Sequence, residues 1–359
     1  MQIKSPIPKF NLNIHISTKI YSNFLFLSTQ KKIIIPTRGL FFLRKFFIIF
    51  SVIFMKNYII SRFIQLIPIL IGITFLTFGM MQFASEDAVD IIYSQSGSVS
   101  EEIKAQKRAE LGLDQPFLIQ YGNWLKGVVT GDMGRSFISG KLVFETFAEK
   151  LPATFQLMLV SIFLTIFVAT PFGIISAVNQ NKFFDYFIRF FTFIGNSMPN
   201  FFAGLLLIYF LALKLNLLPI ISQNIIMPAL TLTISMASKY TRQIRAVILE
   251  ELSKPYVIAA KSRGISDFTI LTKYVLRSAL IMIITLIALS IGSLLGGTAI
   301  VETIFMWDGV GKMAVDAILM KDYPLIQAYV VWMAIIYVVM NLFADLLYYY
   351  LDPRVRYEK

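Results

Sequence analysis

Cysteine is absent from this chain, which excludes disulfides, thiolate metal sites and cysteine nucleophiles together. Histidine occurs once, as His15, so no cluster of imidazoles exists to build a metal cage or a proton relay. Charge is scarce as well: 15% of the 359 residues are Asp, Glu, Lys or Arg, against 57% hydrophobic residues that include 33 Phe. With a mean hydropathy of +0.70, this is the composition of a polytopic membrane protein and not of a soluble domain.

Nucleotide chemistry is missing too. The nearest approach to a phosphate-binding loop, Gly134-Arg135-Ser136-Phe137-Ile138-Ser139-Gly140-Lys141-Leu142, has the wrong spacing and puts Leu142 where a magnesium-holding hydroxyl belongs. Neither H-E-x-x-H nor G-x-S-x-G occurs, so protease and hydrolase readings have no constellation to rest on. The chain is expected to do no bond chemistry, to leave ATP hydrolysis to others, and to hold no cofactor or metal of its own.

The net charge of +12 suggests nucleic acid or anionic lipid until it is located. Residues 1–58 contain nine Lys or Arg and no Asp or Glu, so +9 of the +12 lies there. The remainder is only mildly basic and offers no basic face on a water-soluble fold. Residues 1–54 include a short apolar run, Phe46 to Phe54, too brief for a span of roughly 20 residues. This basic, acid-free leader reads as a targeting peptide, a disordered tail or a mis-called extension, with Met55 opening an ordinary membrane-protein start.

What is present is a series of long apolar segments, which makes the expected fold all-α. A first transmembrane helix is read within 55–83. The polar loop 84–151 has ten acidic and seven basic residues and is placed on the outer side. In it Ser98 and Glu101 form a capping box, Gly112 ends that helix, and Asp114 with Pro116 starts another. On the second of these, Phe117, Tyr121, Trp124 and Val128 share a face, read as the core of a small cap or, less simply, as a substrate-contacting stripe. Five further spans fill 152–351, near Pro152–Val178, Tyr186–Leu213, Ile225–Ile248, Ala279–Val301 and Pro324–Leu351. That totals six, followed by the tail 352–359. Basic residues dominate between the fourth and fifth spans, whereas Glu302 to Asp322 carries four acidic against two basic residues. The positive-inside rule then puts both termini and residues 250–280 on the cytoplasmic side of a cell membrane.

Residues 250–280 are a polar, net-basic insert between apolar spans. Ser253 is read as an N-cap, Pro255 sits in a first helical turn, Gly264 closes that helix in the left-handed region, and Ser266 with Asp267 caps a second one. Tyr256, Ala259, Ala260 and Arg263 fall on one face at i, i+3, i+4 and i+7. Small residues there admit close approach of another surface, the plainer reading being a helical hairpin that covers its neighbours. Elsewhere, Glu302 and Asp345 lie near membrane depth, either capped at an interface or coupled to function. Gly292, Gly296 and Gly297 either permit close helix packing or line a path. Pro199, Gly204 and Pro228 are candidate helix breaks.

The run Tyr256-Val257-Ile258-Ala259-Ala260-Lys261-Ser262-Arg263-Gly264 resembles the cytoplasmic coupling loop of binding-protein-dependent ABC importer permeases. More narrowly, the chain is similar to the dipeptide/oligopeptide/nickel permease group. The likeness is carried by RFIQLIPILIGITFLTF, ELGLDQPFLIQYGNWLKG, GDMGRSF, LPATFQLML, NSMPNFF, VETIF, GVGKMAVDAI, KDYPLIQ and LDPRVR, in that order from Met55 to Arg356. It departs from the general importer pattern at Ile258, where many permeases have Glu, and at Pro255. The resemblance implies a coupling surface built from Tyr256, Ala259, Ala260, Lys261, Arg263, Gly264 and Ile265. It also implies a second permease subunit, two ATPase subunits carrying ATP and magnesium, an extracytoplasmic solute-binding protein, and a cargo of nickel, as a chelate, or small peptides. ELGLDQPFLIQY and the short link 214–224 incline the choice toward nickel. Two other classes stand beside this one: a self-powered channel or secondary transporter, and a membrane-anchored structural or signalling protein.

Overall fold

A computed structural model describes residues 60–82, 88–93, 99–219 and 224–351. The leader, Ser98 and the tail lie outside the described residues. Helices α1 (Ile60–Gln82) and α2 (Ala88–Tyr93) are followed by α3 (Glu101–Leu111) and α4 (Phe117–Thr130). Next come α5 (Val143–Val178), α6 (Phe183–Ser197), α7 (Asn200–Leu207, extended by a π-helical stretch to Lys214), α8 (Ile226–Leu252) and α9 (Pro255–Ser262). Helix α10 (Asp267–Thr269) passes through a π-helical stretch into α11 (Leu276–Gly297), before α12 (Ala299–Ile304), α13 (Val310–Leu319) and α14 (Tyr323–Leu351). Among the described residues the fold is all-α, with a single isolated bridge, Arg135 to Leu142.

Helix α5 organises the interior. Val143 and Phe147 at its start belong to an apolar cluster with Met133, Val310, Met313 and Leu325. Leu157, Met158 and Ile162 in its middle pack with Leu232, Val301 and Phe305. Ala169 and Ala177 near its end join Ile244, Ile248, Val257 and Val275. At 36 residues the helix is about 54 Å long, well beyond a hydrocarbon core of about 30 Å. It begins nine residues before the expected limit at Pro152, because Val143 and Phe147 are buried in the outer cluster. Pro152 and Pro171 lie inside it, each removing one rung of the hydrogen-bond ladder.

Four described helices are long and apolar enough to cross a membrane, Ile60–Gln82, Val143–Val178, Asp267–Gly292 and Tyr323–Leu346. The bent pair Phe183–Ser197 and Asn200–Lys214 makes a fifth if counted as one. The fourth expected span corresponds to α8, which runs 27 residues but carries Lys239, Arg242, Arg245, Glu250 and Glu251 toward its end. The third expected span is not straight: its halves meet at 107°. Pro199 is the cause. It holds Met198 in the extended region (φ −81°, ψ 130°) and is itself extended, so helix α6 must stop before it.

The aromatic stripe of α4 is packing surface. Tyr121 is buried, its hydroxyl lies 2.9 Å from Thr74 Oγ1 on α1, and Phe75 meets Phe117 and Tyr121 edge-on at 5.4 Å. Gly112 closes α3 with φ +68° as expected, whereas the cap position of that helix falls on Ser100.

Candidate functional site

The hairpin from α8 to α11 is built from its turn outward. Arg263 ends α9 and Gly264 follows at φ +75°, a conformation that costs a residue with a Cβ about 1–2 kcal/mol. Ile265 N donates to Ala260 O and Gly264 N to Lys261 O, which satisfies the final carbonyls of α9 in the six-to-one and five-to-two pattern. Ser266 Oγ then accepts from Thr269 N at 3.4 Å, capping α10. Lys261 Nζ reaches Asp267 Oδ1 at 2.9 Å across the turn, an exposed pair of small energetic weight.

Ser253 closes α8 and does not open α9: its hydroxyl donates to Glu250 O at 2.7 Å, and Lys254 holds the cap position of α9. The face expected at i, i+3, i+4 and i+7 is also divided. Val257 and Ala260 turn inward onto Ile270, Val275 and Ala279 of the second arm, with Ile265 half-buried beside them. Tyr256, Ala259, Lys261, Arg263 and Gly264 stay exposed. Two large apolar side chains join this outer ridge, Ile258 at 61% exposure and Phe268 at 75%. The reason is register: an eight-residue helix seats on its neighbour through Val257 and Ala260, three apart, and the residues between them face out.

Glu251 anchors the root of the hairpin. Nearly buried, it accepts from Lys254 Nζ and, at 2.7 Å, from the Tyr256 hydroxyl. Burial opposes its charge, yet Lys254 and Tyr256 prevail and hold the carboxyl below its ordinary range. The same environment, burial first and then the Glu251 carboxylate, pushes the Tyr256 phenol up to about 12.

A second tie lies along α8. Asp185, at the start of α6 and fully buried, receives Arg245 Nε at 2.8 Å and Nη2 at 2.7 Å, Ser176 Oγ at 2.6 Å and Asn181 N at 2.9 Å. This bidentate pair joins the helix that feeds the hairpin to α5 and α6. Nothing in local periodicity marks it; the partners are 60 residues apart.

On the far side of the interior, Glu302 is fully buried and capped. Its Oε1 accepts from Thr154 Oγ1 at 2.8 Å and its Oε2 from Lys312 N at 2.9 Å, while Thr154 Oγ1 itself accepts from Val310 N at 2.9 Å. A carboxylate from α12 thus caps the first turn of α13, where the helix dipole favours it. A Cβ on Gly311 would stand 2.6 Å from Ala299 Cα and 2.8 Å from Glu302 Oε2, so the run GVGK is required by this approach. Asp322 plays a related part, accepting from Ser136 Oγ and, at 3.1 Å, from Phe137 N, which ties the loop GDMGRSF to the start of α14. The sequence reading missed Thr154, Asp185, Arg245, Glu251 and Asp322. For Thr154 and Asp185 the only available signal was a short polar residue among apolar neighbours.

Gly292 abuts α14: a Cβ there would lie 3.2 Å from Asn341 Oδ1 and 3.3 Å from the Tyr337 ring, which is helix packing. Gly296 and Gly297 end the same helix, and their surroundings fall outside the described side chains. Asp345 lies within α14. Among the described residues no group of three or more His, Cys, Asp or Glu could hold a metal ion.

Residues 169–357 match the family described as binding-protein-dependent transport system inner membrane component, and residues 55–158 match its N-terminal membrane component. Residues 1–54 lie outside both. The oligopeptide transport system permease protein AppB of Bacillus subtilis is 37% identical over 318 residues, covering 84% of this chain and 100% of that protein. The metal-staphylopine import system permease protein CntB of Staphylococcus aureus is 32% identical over 308 residues, covering 84% of this chain and 99% of that one. The glutathione transport system permease protein GsiC of Escherichia coli is 33% identical over 308 residues, with 85% and 100% covered. A chain of the inward-facing MetNI methionine ABC transporter superposes with a TM-score of 0.51 at 15% identity, over 58% of this chain and 97% of that one, a likeness of fold alone.

Proposed function

This chain belongs to the binding-protein-dependent transport system inner membrane components, and from that membership we propose that it carries small peptides through an ABC importer, driven at the 250–280 hairpin. As an ABC importer permease it works with ATPase and substrate-binding partners. The observation that carries the coupling role is the hairpin's division. Val257 and Ala260 root it in the interior, while Tyr256, Ala259, Arg263, Gly264, Ile258 and Phe268 present an exposed ridge with two bulky apolar side chains. Such a ridge on a polar, basic insert fits a groove on another protein. ATPases closing on ATP would press the ridge, α8 would move with it through Glu251, and the Asp185–Arg245 pair would pass the motion to α5 and α6. Opening would face a loaded binding protein, and hydrolysis would reset the path inward. Both chain termini would lie on the ATPase side.

Small peptides are favoured as cargo by the relatives named for oligopeptides and glutathione. A metal chelate is the second reading, supported by the metal-staphylopine relative; nickel would then travel as a chelate, because a chain with no Cys and one His offers no side-chain cage for the bare ion. The test is uptake by vesicles holding this chain with its ATPases, second permease subunit and binding protein, supplied with labelled di- and tripeptides or a labelled nickel chelate. Peptide-selective uptake supports the cargo, and chelate-only uptake replaces it. Ala259→Arg, on the exposed ridge, should abolish uptake and ATPase co-purification while the chain still folds. Uptake without any ATPase would return the protein to the self-powered class.

A further inference from the structure

Helix α6 has an unusual exposed side. Asp185, Ile188, Thr192 and Gly195 face inward, yet the opposite side is apolar and aromatic, with Phe183, Phe184, Tyr186, Phe187, Phe190 and Phe193 at least half exposed. Where α6 crosses the second half of α8, a cleft of about 640 Å³ opens, lined by Tyr186, Arg189, Phe190, Phe193, Arg242 and Arg245. Arg245 is committed to Asp185 by two hydrogen bonds. Arg189 and Arg242 are exposed and have no acidic partner within 4 Å among the described residues. The cleft therefore keeps two guanidinium charges, one of them over the Tyr186 ring at 5.7 Å, inside a rim of aromatic side chains.

We propose that this cleft binds the phosphate headgroup of an anionic phospholipid in the leaflet on the hairpin side of the membrane. A guanidinium fork matches phosphate oxygens two at a time, and Arg stems bring that fork to the headgroup level while their methylenes lie along apolar surface. Aromatic rings with a polar edge or a neighbouring cation sit well at the same level. Depth agrees: Arg189 is six residues into α6, about 9 Å from its start, and Arg242 lies in the half of α8 that leads to the basic hairpin. A face for the second permease subunit would be expected to carry small residues that let backbones approach, whereas this one carries bulky rings along its whole length. The site goes beyond the transport reading and does not depend on it.

The experiment is native mass spectrometry on the detergent-purified full chain with phosphatidylglycerol, phosphatidylcholine or inorganic phosphate. The expected result is retention of phosphatidylglycerol by the unaltered chain at least about tenfold over phosphatidylcholine, and a loss of about 25-fold in R189Q/R242Q, at about fivefold for each cation. R189K/R242K, which keeps the charge but loses the fork and the stacked guanidinium, should fall between the unaltered chain and R189Q/R242Q; it stands in if the first variant fails to fold, and retention equal to the unaltered chain would then overturn the bidentate site. Equal retention of the two lipids, or undiminished phosphatidylglycerol on R189Q/R242Q, overturns the proposal. Displacement of the lipid by millimolar inorganic phosphate overturns it in favour of a free-anion site. A R189Q/R242Q chain that keeps its lipid but no longer co-purifies with a second permease subunit overturns it in favour of a subunit face.

Discussion

Two buried carboxylates in this molecule are satisfied by opposite means. Asp185, near the hairpin, is matched by a full positive charge, Arg245, with a hydroxyl and one backbone N–H completing its shell. Glu302, toward the outer loop, has no cation within 4 Å among the described residues and is held by the Thr154 hydroxyl and the Lys312 N–H at a helix start. Asp322 follows the second pattern, with Ser136 and Phe137 N. A paired charge ties two helices through a strong contact that leaves an expensive remnant if broken. A helix-capping carboxylate fixes one turn against its neighbour through weaker, individually replaceable bonds. The hairpin side is thus joined by an ionic tie suited to transmitting displacement, and the outer side by caps suited to holding loops in place.

The contrast is broken most severely at Arg245. R245A leaves Asp185 buried and uncompensated, and the expected loss is about 3–5 kcal/mol, read as a lowered unfolding midpoint of the detergent-purified chain. Removing both partners in D185A/R245A should restore much of that loss; a double variant as unstable as the single one would show that the charge is not what matters. The outer cap should be milder. E302Q is expected to cost about 1–3 kcal/mol and to raise hydrogen exchange at the Val310 and Lys312 amides, and a change as large as that of R245A would erase the difference between the two sides. Smaller again is G264A, at about 1–2 kcal/mol from the left-handed backbone, with altered exchange confined to the hairpin.

The smallest effect concerns acid. Glu251 is held below its ordinary value of 4.5, so the folded state favours the charged form. Its contribution is complete above that value and fades as pH falls through and below it. E251Q should therefore show a flatter stability profile between neutral and acid pH than the unaltered chain, measured by thermal unfolding across that window. Parallel profiles would detach Glu251 from the hairpin's stability.

Local chemistry in the sequence located what depends on neighbours in the chain. Gly264 in the left-handed region, Gly112 at the end of α3 and the break at Pro199 are each set by one residue's backbone preference, and the cap at Ser266 by one hydroxyl. Register was legible only in part: the spacing put Ala259 and Ala260 on one face, but the way α9 seats on Val275 and Ala279 decides that Ala260 is covered and Ala259 is not. The expected limit at Pro152 marks the start of the apolar run, and the buried Val143 and Phe147 carry the helix further back. The ties Asp185–Arg245 and Thr154–Glu302 join residues 60 and 148 positions apart. Such pairs follow from which helices lie side by side, and a single chain's pattern does not contain that.

Helix α5 takes part in all three apolar clusters, and this bears on how the protein comes apart. Fraying any stretch of α5 strips the adjoining cluster of a wall. Loosening at Ala169 should be felt at Phe147, so that the outer and hairpin ends unfold in one transition instead of two.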